Sequence, residues 1–201
     1  MARRDRAADR EGPEIDLDAL NDRWQRMWPD CPPIGYLFKH RMSDRWVRFH
    51  SLPLGRRYPT DAADYTEVLR RHNEVLAELV HGEIYLITVE YSPDDLAAGT
   101  EPIHVGLHPN AVAWLRVRPD PDDPDYQLHV SRQVFAPGDL DALLRYVADD
   151  RASEVVIADV GLRWLYHPYD GGADVILPST RERDSLGERF AGWLSTRPDG
   201  L

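Results

Sequence analysis

The sequence predicts an α+β protein in which a mostly antiparallel sheet carries three to four helices on one face. Segments with strand-like alternation come in pairs joined by turns, which is typical of hairpins. Helical segments do not alternate regularly with strands, and this argues against a doubly wound parallel fold. The chain has 201 residues, 42% of them apolar, which is enough for a single domain to bury its own core.

Apolar side chains at helical spacing predict four helices. The clearest runs from Asp61 to Val80, where Asp61 can cap the first turn and Gly82 follows the last. Prolines follow the ends of the first and last of the other three, and the remaining one begins at Pro137. The predicted helices cover residues 16–27, 61–80, 137–149 and 181–194.

Alternating, β-branched and aromatic residues predict the strands. Residues 34–39 and 45–52 are expected to form two strands around a turn, and residues 83–91 form another. Two hairpins follow, and the second turns at Asp170-Gly171-Gly172, where glycine allows the positive φ of a tight turn. The strands of the first hairpin are expected at 111–118 and 126–134, and those of the second at 162–169 and 173–177. A short strand is expected between the two hairpins, at 154–158.

The N-terminus is expected to lie outside the folded part of the chain. Residues 1–13 are charged and carry no apolar periodicity, so they are interpreted as a disordered tail before a single domain at 14–201. This tail lacks the apolar stretch of a signal peptide. No apolar run approaches the ~18 residues that a membrane span needs, and the protein is therefore expected to be cytoplasmic.

Charge and cysteine content limit the possible function classes. The formal net charge is −11, whereas nucleic-acid-binding proteins usually carry a basic excess for phosphate contacts. Cys31 is the only cysteine, which rules out an intrachain disulfide and a cysteine-rich metal site. The sequence contains no phosphate-binding loop, dinucleotide fingerprint, nucleophile elbow or zinc-protease motif. No cofactor, metal, nucleic acid or membrane partner is predicted, and a catalytic role is not favoured.

Basic and aromatic residues between positions 46 and 72 form the first candidate site. Alternate residues of a strand share a face, so Arg48 and His50 point the same way as Trp46. Guanidinium groups offer paired donors to a carboxylate or phosphate. The alternative is ordinary structure, with Arg48 in a salt bridge and His72 as a hydrogen-bonded core residue. The candidate ligand-binding residues are Arg48, His50, Arg57, Tyr58, Arg71 and His72.

The second predicted hairpin carries a secondary candidate site, formed by His167, Asp170 and Asp174. A histidine beside carboxylates can act as a general acid–base pair. Turn geometry alone explains Asp170, so the alternative is again a structural role. That alternative leaves His167 and Asp174 without an explanation.

Two segments stand out as distinctive, and two short stretches follow the first. The segments are Trp46-Val47-Arg48-Phe49-His50-Ser51-Leu52-Pro53 and His167-Pro168-Tyr169-Asp170-Gly171-Gly172-Ala173-Asp174-Val175-Ile176, and the stretches are Arg57-Tyr58-Pro59 and Arg71-His72-Asn73. Together they resemble a family of small bacterial proteins that is commonest in actinomycetes. The resemblance extends from about Leu17 to Leu201. This family is uncharacterised, so the resemblance implies no activity and no catalytic residue.

Two kinds of function follow from these observations. The favoured one is a non-catalytic binding protein that neutralises or regulates a protein partner, in a role like that of an immunity protein. Its acidic charge would attract a basic partner such as a nuclease toxin. The alternative is a small enzyme or ligand-binding protein that acts on an anionic metabolite or nucleotide at the first candidate site.

Overall fold

A computed structural model describes residues 14–91, 106–122 and 125–195, which form five α-helices and seven β-strands. The predicted tail, residues 1–13, lies outside the described residues. The helices are α1 (Leu17–Met27), α2 (Gly35–Arg41), α3 (Ala62–Leu79), α4 (Asp141–Ala148) and α5 (Thr180–Arg189). The strands are β1 (Trp46–His50), β2 (Glu83–Tyr91), β3 (Val112–Val117), β4 (Tyr126–Val134), β5 (Val156–Asp159), β6 (Leu165–Tyr169) and β7 (Gly172–Ile176).

The seven strands form one sheet in the order β1-β7-β6-β5-β2-β4-β3. Every neighbouring pair is antiparallel. The α+β class and the antiparallel sheet are therefore confirmed, although the described residues contain five helices and not three to four. No helix within the described ranges has the length and apolar character that a membrane crossing requires.

Most of the predicted elements are confirmed. Helices α1 and α3 begin after the N-caps Asp16 and Asp61, whose carboxylates accept hydrogen bonds from backbone N–H groups at 2.9 Å. Both predicted hairpins form, as β3–β4 and β6–β7. The helix predicted at 137–149 begins only at Asp141, and the one predicted at 181–194 ends at Arg189 and is followed by a 3-10 turn.

The helices cover both faces of the sheet, which corrects the prediction of a single covered face. Helices α3, α4 and α5 pack on one face, here called the α3 face, where Leu76 and Leu144 share an apolar cluster with Leu86. Helices α1 and α2 pack on the opposite face, the α2 face, where Phe38 shares a cluster with Ile87. Leu86 and Ile87, which are adjacent residues of β2, are thus buried on opposite sides of the sheet, as in a sheet that lies between two helical layers.

Helix α2 replaces the strand predicted at residues 34–39. The side chain of Phe38 and those of the two capping residues, Ile34 and Met42, are all buried in the cluster on the α2 face. A spacing of four places side chains on one side of a helix, and because four is even it also places them on one side of a strand. The pattern therefore could not separate the two structures, and packing against the sheet selects the helix.

Candidate functional site

Strands β1, β7 and β6 carry a row of polar side chains on the α2 face of the sheet. The strand register places Asp174 between Arg48 and His167. In the next row Gly172 lies between His50 and Tyr169. Side chains of directly opposed residues in antiparallel strands are close neighbours. The first row is therefore a continuous polar floor, whereas Gly172 contributes no side chain to the second.

A cleft of about 470 Å³ opens over these two rows. A volume of this size is typical of sites for small molecules. Helix α2 and the segment before β5 form one wall, and the loop after β1 forms the other. The lining residues are Tyr36, Lys39, Arg48, His50, Gly55, Arg57, Asp150, Ala152, Ser153, Glu154, His167, Tyr169, Asp170, Gly171 and Asp174.

Arg48 is fixed in the floor of the cleft. Its Nε and Nη2 donate to the two carboxylate oxygens of Asp174 at 2.6 and 2.8 Å. The guanidinium lies 5.3 Å from the ring centre of Trp46 and 4.8 Å from that of Tyr169, distances at which cations attract aromatic rings. Burial alone would lower the pKa of Arg48, but the hydrogen bonds and charge of Asp174 outweigh it and raise the pKa. Asp174 leaves Nη1 unused, so this nitrogen can donate to a ligand.

His167 is held in one orientation with one ring nitrogen committed. Its Nδ1 lies 2.8 Å from the carbonyl oxygen of Val155, and because a carbonyl only accepts, Nδ1 must carry a proton. In the neutral ring Nε2 is then an acceptor. Helix α2 holds the ring in place, since a Cβ at Gly35 would overlap the imidazole and Phe38 meets it edge-on at 6.4 Å. The arrangement can accept a proton or hydrogen bond through Nε2.

The tip of the β6–β7 hairpin is tied to the loop after β1. Arg57 donates through Nε to Asp170 at 2.5 Å. Hydrogen bonding to the same carboxylate raises the pKa of the Tyr58 hydroxyl. Asp170 is buried, whereas Arg57 and Tyr58 are largely exposed. These contacts hold the loop wall of the cleft in place, and Tyr58 lies outside the cleft lining.

Besides Tyr58, two more of the residues proposed with Arg48 lie outside the cleft lining. Arg71 donates to Glu67 at 2.6 Å and to the carbonyl of His50 at 2.9 Å, so it supports β1 from α3. His72 is buried on the α3 face, with Nδ1 2.6 Å from the Tyr166 hydroxyl. Burial lowers the pKa of His72 to about 4, which keeps this ring neutral near pH 7.

His50 and Tyr169 flank Gly172 in the strand register, and both line the cleft. Burial, followed by the positive charges of Arg48 and Arg71, lowers the pKa of His50, so its imidazole is neutral near pH 7. Burial raises the pKa of Tyr169, although the charge of Arg48 opposes this shift. Both side chains therefore offer neutral hydrogen-bonding groups to the cleft.

Lys39 supplies a positive charge that sequence reasoning missed. It lines the cleft from α2, and within the described ranges it has no ion-pair partner. Arg48 and Arg57 differ from Lys39, because each forms an ion pair with a carboxylate of the β6–β7 hairpin. Residues 34–39 were predicted as a strand, so no local signal placed Lys39 beside the candidate residues. It is the single lysine of the chain.

The segment before β5 adds two carboxylates that were also missed. Asp150 and Glu154 line the cleft with left-handed backbone, at φ of 56° and 57°. Residues other than glycine rarely adopt this region, and where they do the surroundings must hold them there. Glu154 is held by a hydrogen bond that its Oε2 accepts from the backbone N–H of Tyr36 at 3.1 Å, which links this wall to the start of α2.

The cleft thus combines the two candidate sites that the sequence presented separately. It brings together Arg48, His50 and Arg57 from the first and His167, Asp170 and Asp174 from the second. Among the described residues no group of three or more histidine, cysteine or acidic side chains could hold a metal ion.

Comparisons with known proteins identify a family. A family model described as a domain of unknown function (DUF3885) matches residues 34–198. Searches of curated proteins and of solved structures find no match to the chain. Every residue that lines the cleft lies within the matched range.

Proposed function

The chain belongs to the family described as a domain of unknown function, DUF3885, and from the cleft over β1, β7 and β6 we propose that it binds a small anionic metabolite. The observation that carries this proposal is the pairing of charges in the cleft. Asp174 and Asp170 form ion pairs with Arg48 and Arg57. Lys39 forms no ion pair within the described residues, so its ammonium group can meet a ligand anion directly, in a lining that also contains the carboxylates of Asp150 and Glu154. A cytoplasmic setting in a bacterium is part of the proposal.

The remaining polar groups fit an anion that also carries hydrogen-bonding groups. Arg48 offers its unused Nη1 next to the cleft, and its position is set in advance by contacts with three residues, Asp174, Trp46 and Tyr169. Donors that are already in place lose little conformational freedom when the ligand binds. Nε2 of His167 can accept a hydrogen bond from a hydroxyl or amine of the same ligand.

Lys39 also provides the test, because selective labelling of lysine gives a signal from one side chain. We expect carboxylates, inorganic phosphate or nucleotides from a small panel to shift the NMR signal of Lys39 Nζ and to raise the melting temperature. A ligand at about 100 times its Kd adds roughly 2.7 kcal/mol to the free energy of unfolding. For a chain of this size that is a rise of about 5–10 °C.

Two variants show whether the binding depends on the cleft. Lys39→Met should weaken binding at least tenfold, which is the size expected for loss of a charge-assisted hydrogen bond. Arg41→Met is the matched control, because Arg41 lies exposed on the same helix and outside the cleft lining. A panel in which no anion moves the Lys39 signal or the melting temperature would overturn the proposal.

A basic protein partner is the second candidate function, and the net charge of −11 favours it. Such a partner would associate faster at low ionic strength, because opposite charges steer the encounter. Affinity capture from the source organism at low salt, repeated at high salt, tests this candidate. Failure to recover a stoichiometric basic protein would remove it.

A further inference from the structure

The charged side chains of the cleft do not balance once its ion pairs are taken into account. The lining contains three cations and four carboxylates. The two arginines form ion pairs with two of these carboxylates. Lys39 is then left with Asp150 and Glu154, neither of which forms an ion pair within the part of the chain that the structure describes. A ligand with negative charge alone would be attracted by Lys39 and repelled by both carboxylates.

Asp150 occupies a backbone position that usually belongs to glycine. Helix α4 ends in a Schellman motif, in which the N–H of Asp150 donates to the carbonyl of Val147 at 2.9 Å and the N–H of Arg151 donates to that of Tyr146 at 3.1 Å. Glycine is the commonest residue at the left-handed position of this motif because it has no Cβ, whereas Asp150 adopts it at φ 56°. The position therefore costs strain and places a carboxylate at the cleft, a combination that is concentrated at ligand sites.

Glu154 brings a second carboxylate to the wall that carries Lys39. Its Oε2 accepts a hydrogen bond from the N–H of Tyr36 at 3.1 Å, and Oε1 has no hydrogen-bond partner among the described residues. Tyr36 and Lys39 are three positions apart on α2 and therefore lie on the same side of the helix. The cleft thus offers an oxygen to a ligand cation on the same wall as the ammonium group that it offers to a ligand anion.

We propose that the ligand is a zwitterion, whose acid group meets Lys39 and Nη1 of Arg48 and whose ammonium group meets Asp150 and Glu154. This inference rests on the proposed function and adds the chemical class of the ligand, which is a small amino acid or its phosphonate equivalent. Each unpaired charge of the lining then has a partner of opposite sign on the ligand. Nε2 of His167 can accept a further hydrogen bond from the ammonium group.

Ligands with and without an amino group test the inference on the intact protein. Acetate, propionate, butyrate and valerate are titrated against the labelled Lys39 beside free glycine, β-alanine, 4-aminobutyrate and 5-aminovalerate, which vary the distance between the two charges. Alkyl phosphonates and their amino derivatives are run in parallel, because either acid suits an ammonium and a guanidinium.

The amino group should raise the affinity of at least one such pair about tenfold, the size expected for a charge-assisted hydrogen bond. A gain among the carboxylates alone, or among the phosphonates alone, identifies the acid group. Equal affinities within every pair overturn the inference and leave the proposed function standing, whereas no binding by any ligand overturns both.

Neutral variants of the two carboxylates locate the ammonium group. Asparagine tolerates left-handed backbone and glutamine keeps an acceptor for the N–H of Tyr36, so Asp150→Asn combined with Glu154→Gln should keep the melting temperature of the unliganded protein. This double variant should lose the preference for amino acids and bind the plain acids more tightly, because two repelling charges are removed.

The matched control is Asp18→Asn combined with Glu188→Gln, because both carboxylates are exposed and lie outside the cleft lining. It removes the same charge from the protein and should keep the full preference for amino acids. If the Asp150 and Glu154 variant keeps that preference as well, the ammonium group does not lie at these carboxylates and the inference is wrong.

Discussion

Arg48 and Asp174 form an ion pair that has little contact with water. Their side chains are 14% and 2% exposed, and they share two hydrogen bonds. Arg48→Ala leaves a buried carboxylate without its counterion, which costs about 3–5 kcal/mol. We therefore expect a fall of that size in the free energy of unfolding, measured from the urea midpoint.

Two further variants control the Arg48 experiment. Arg118→Ala breaks the exposed pair with Asp125 and should cost less than about 1 kcal/mol. Adding Asp174→Asn to Arg48→Ala removes the stranded charge and should recover part of the loss. A shift below about 1 kcal/mol for Arg48→Ala would mean that the pair contributes little to folding and that Arg48 serves binding alone.

Single residues show which parts of the site the sequence could predict. Alternation along β1 correctly placed Arg48 and His50 on one face and Phe49 on the other, because strand geometry is local. The pairing of Arg48 with Asp174 was not predictable, because the two residues are 126 positions apart and register depends on the assembled sheet. His72 follows the structural alternative, as a neutral hydrogen-bonded residue of the core.

At the scale of elements, the contact between β1 and β7 depends on one glycine. A Cβ at Gly172 would overlap the carbonyl oxygen of Phe49, which belongs to the backbone of β1 and cannot rotate away. Gly172→Ala should therefore displace the end of β1 and lower the free energy of unfolding by roughly 1–3 kcal/mol. Gly192→Ala is the control, since no atom lies within 4 Å of its added Cβ. Equal urea midpoints for the two variants would contradict the prediction.

The elements also show why the candidate site was only partly visible in the sequence. Long helices such as α3 carry several turns of apolar periodicity, and their prediction is confirmed. Helix α2 has seven residues, too few to separate helical from strand periodicity. Because this segment was predicted as a strand, Lys39 was not recognised as a residue of the cleft. The contact of Gly35 with the His167 ring, which orients that histidine, was not predicted either.

For the whole molecule, buried His72 makes stability depend on pH. Its pKa is about 4 when folded and 6.5 in the unfolded reference, so the unfolded chain binds a proton at a higher pH than the folded one does. The stabilising contribution is fully present above pH 6.5 and is lost as the pH falls toward 4. This difference corresponds to about 3 kcal/mol.

The measurement compares urea unfolding of the wild type and His72→Gln across this pH range. Glutamine stays neutral, so the variant should lose less stability between pH 6.5 and pH 4. A variant of the Tyr166 partner, Tyr166→Phe, keeps the buried imidazole and should retain most of the pH dependence. Parallel curves for the wild type and His72→Gln would contradict the assignment to this residue.

The pairing of β1 with β7 also determines when the cleft comes into existence during synthesis. The ribosome makes β1 early, but that strand has no neighbour in the sheet until β7, more than a hundred residues later, has emerged. Contacts between distant parts of a chain form slowly, because the intervening loop must first be closed. In a nascent chain that still lacks β7, Arg48 and His50 therefore have neither a paired strand nor Asp174 to fix their positions. The cleft therefore becomes able to bind a ligand only at a late stage of folding.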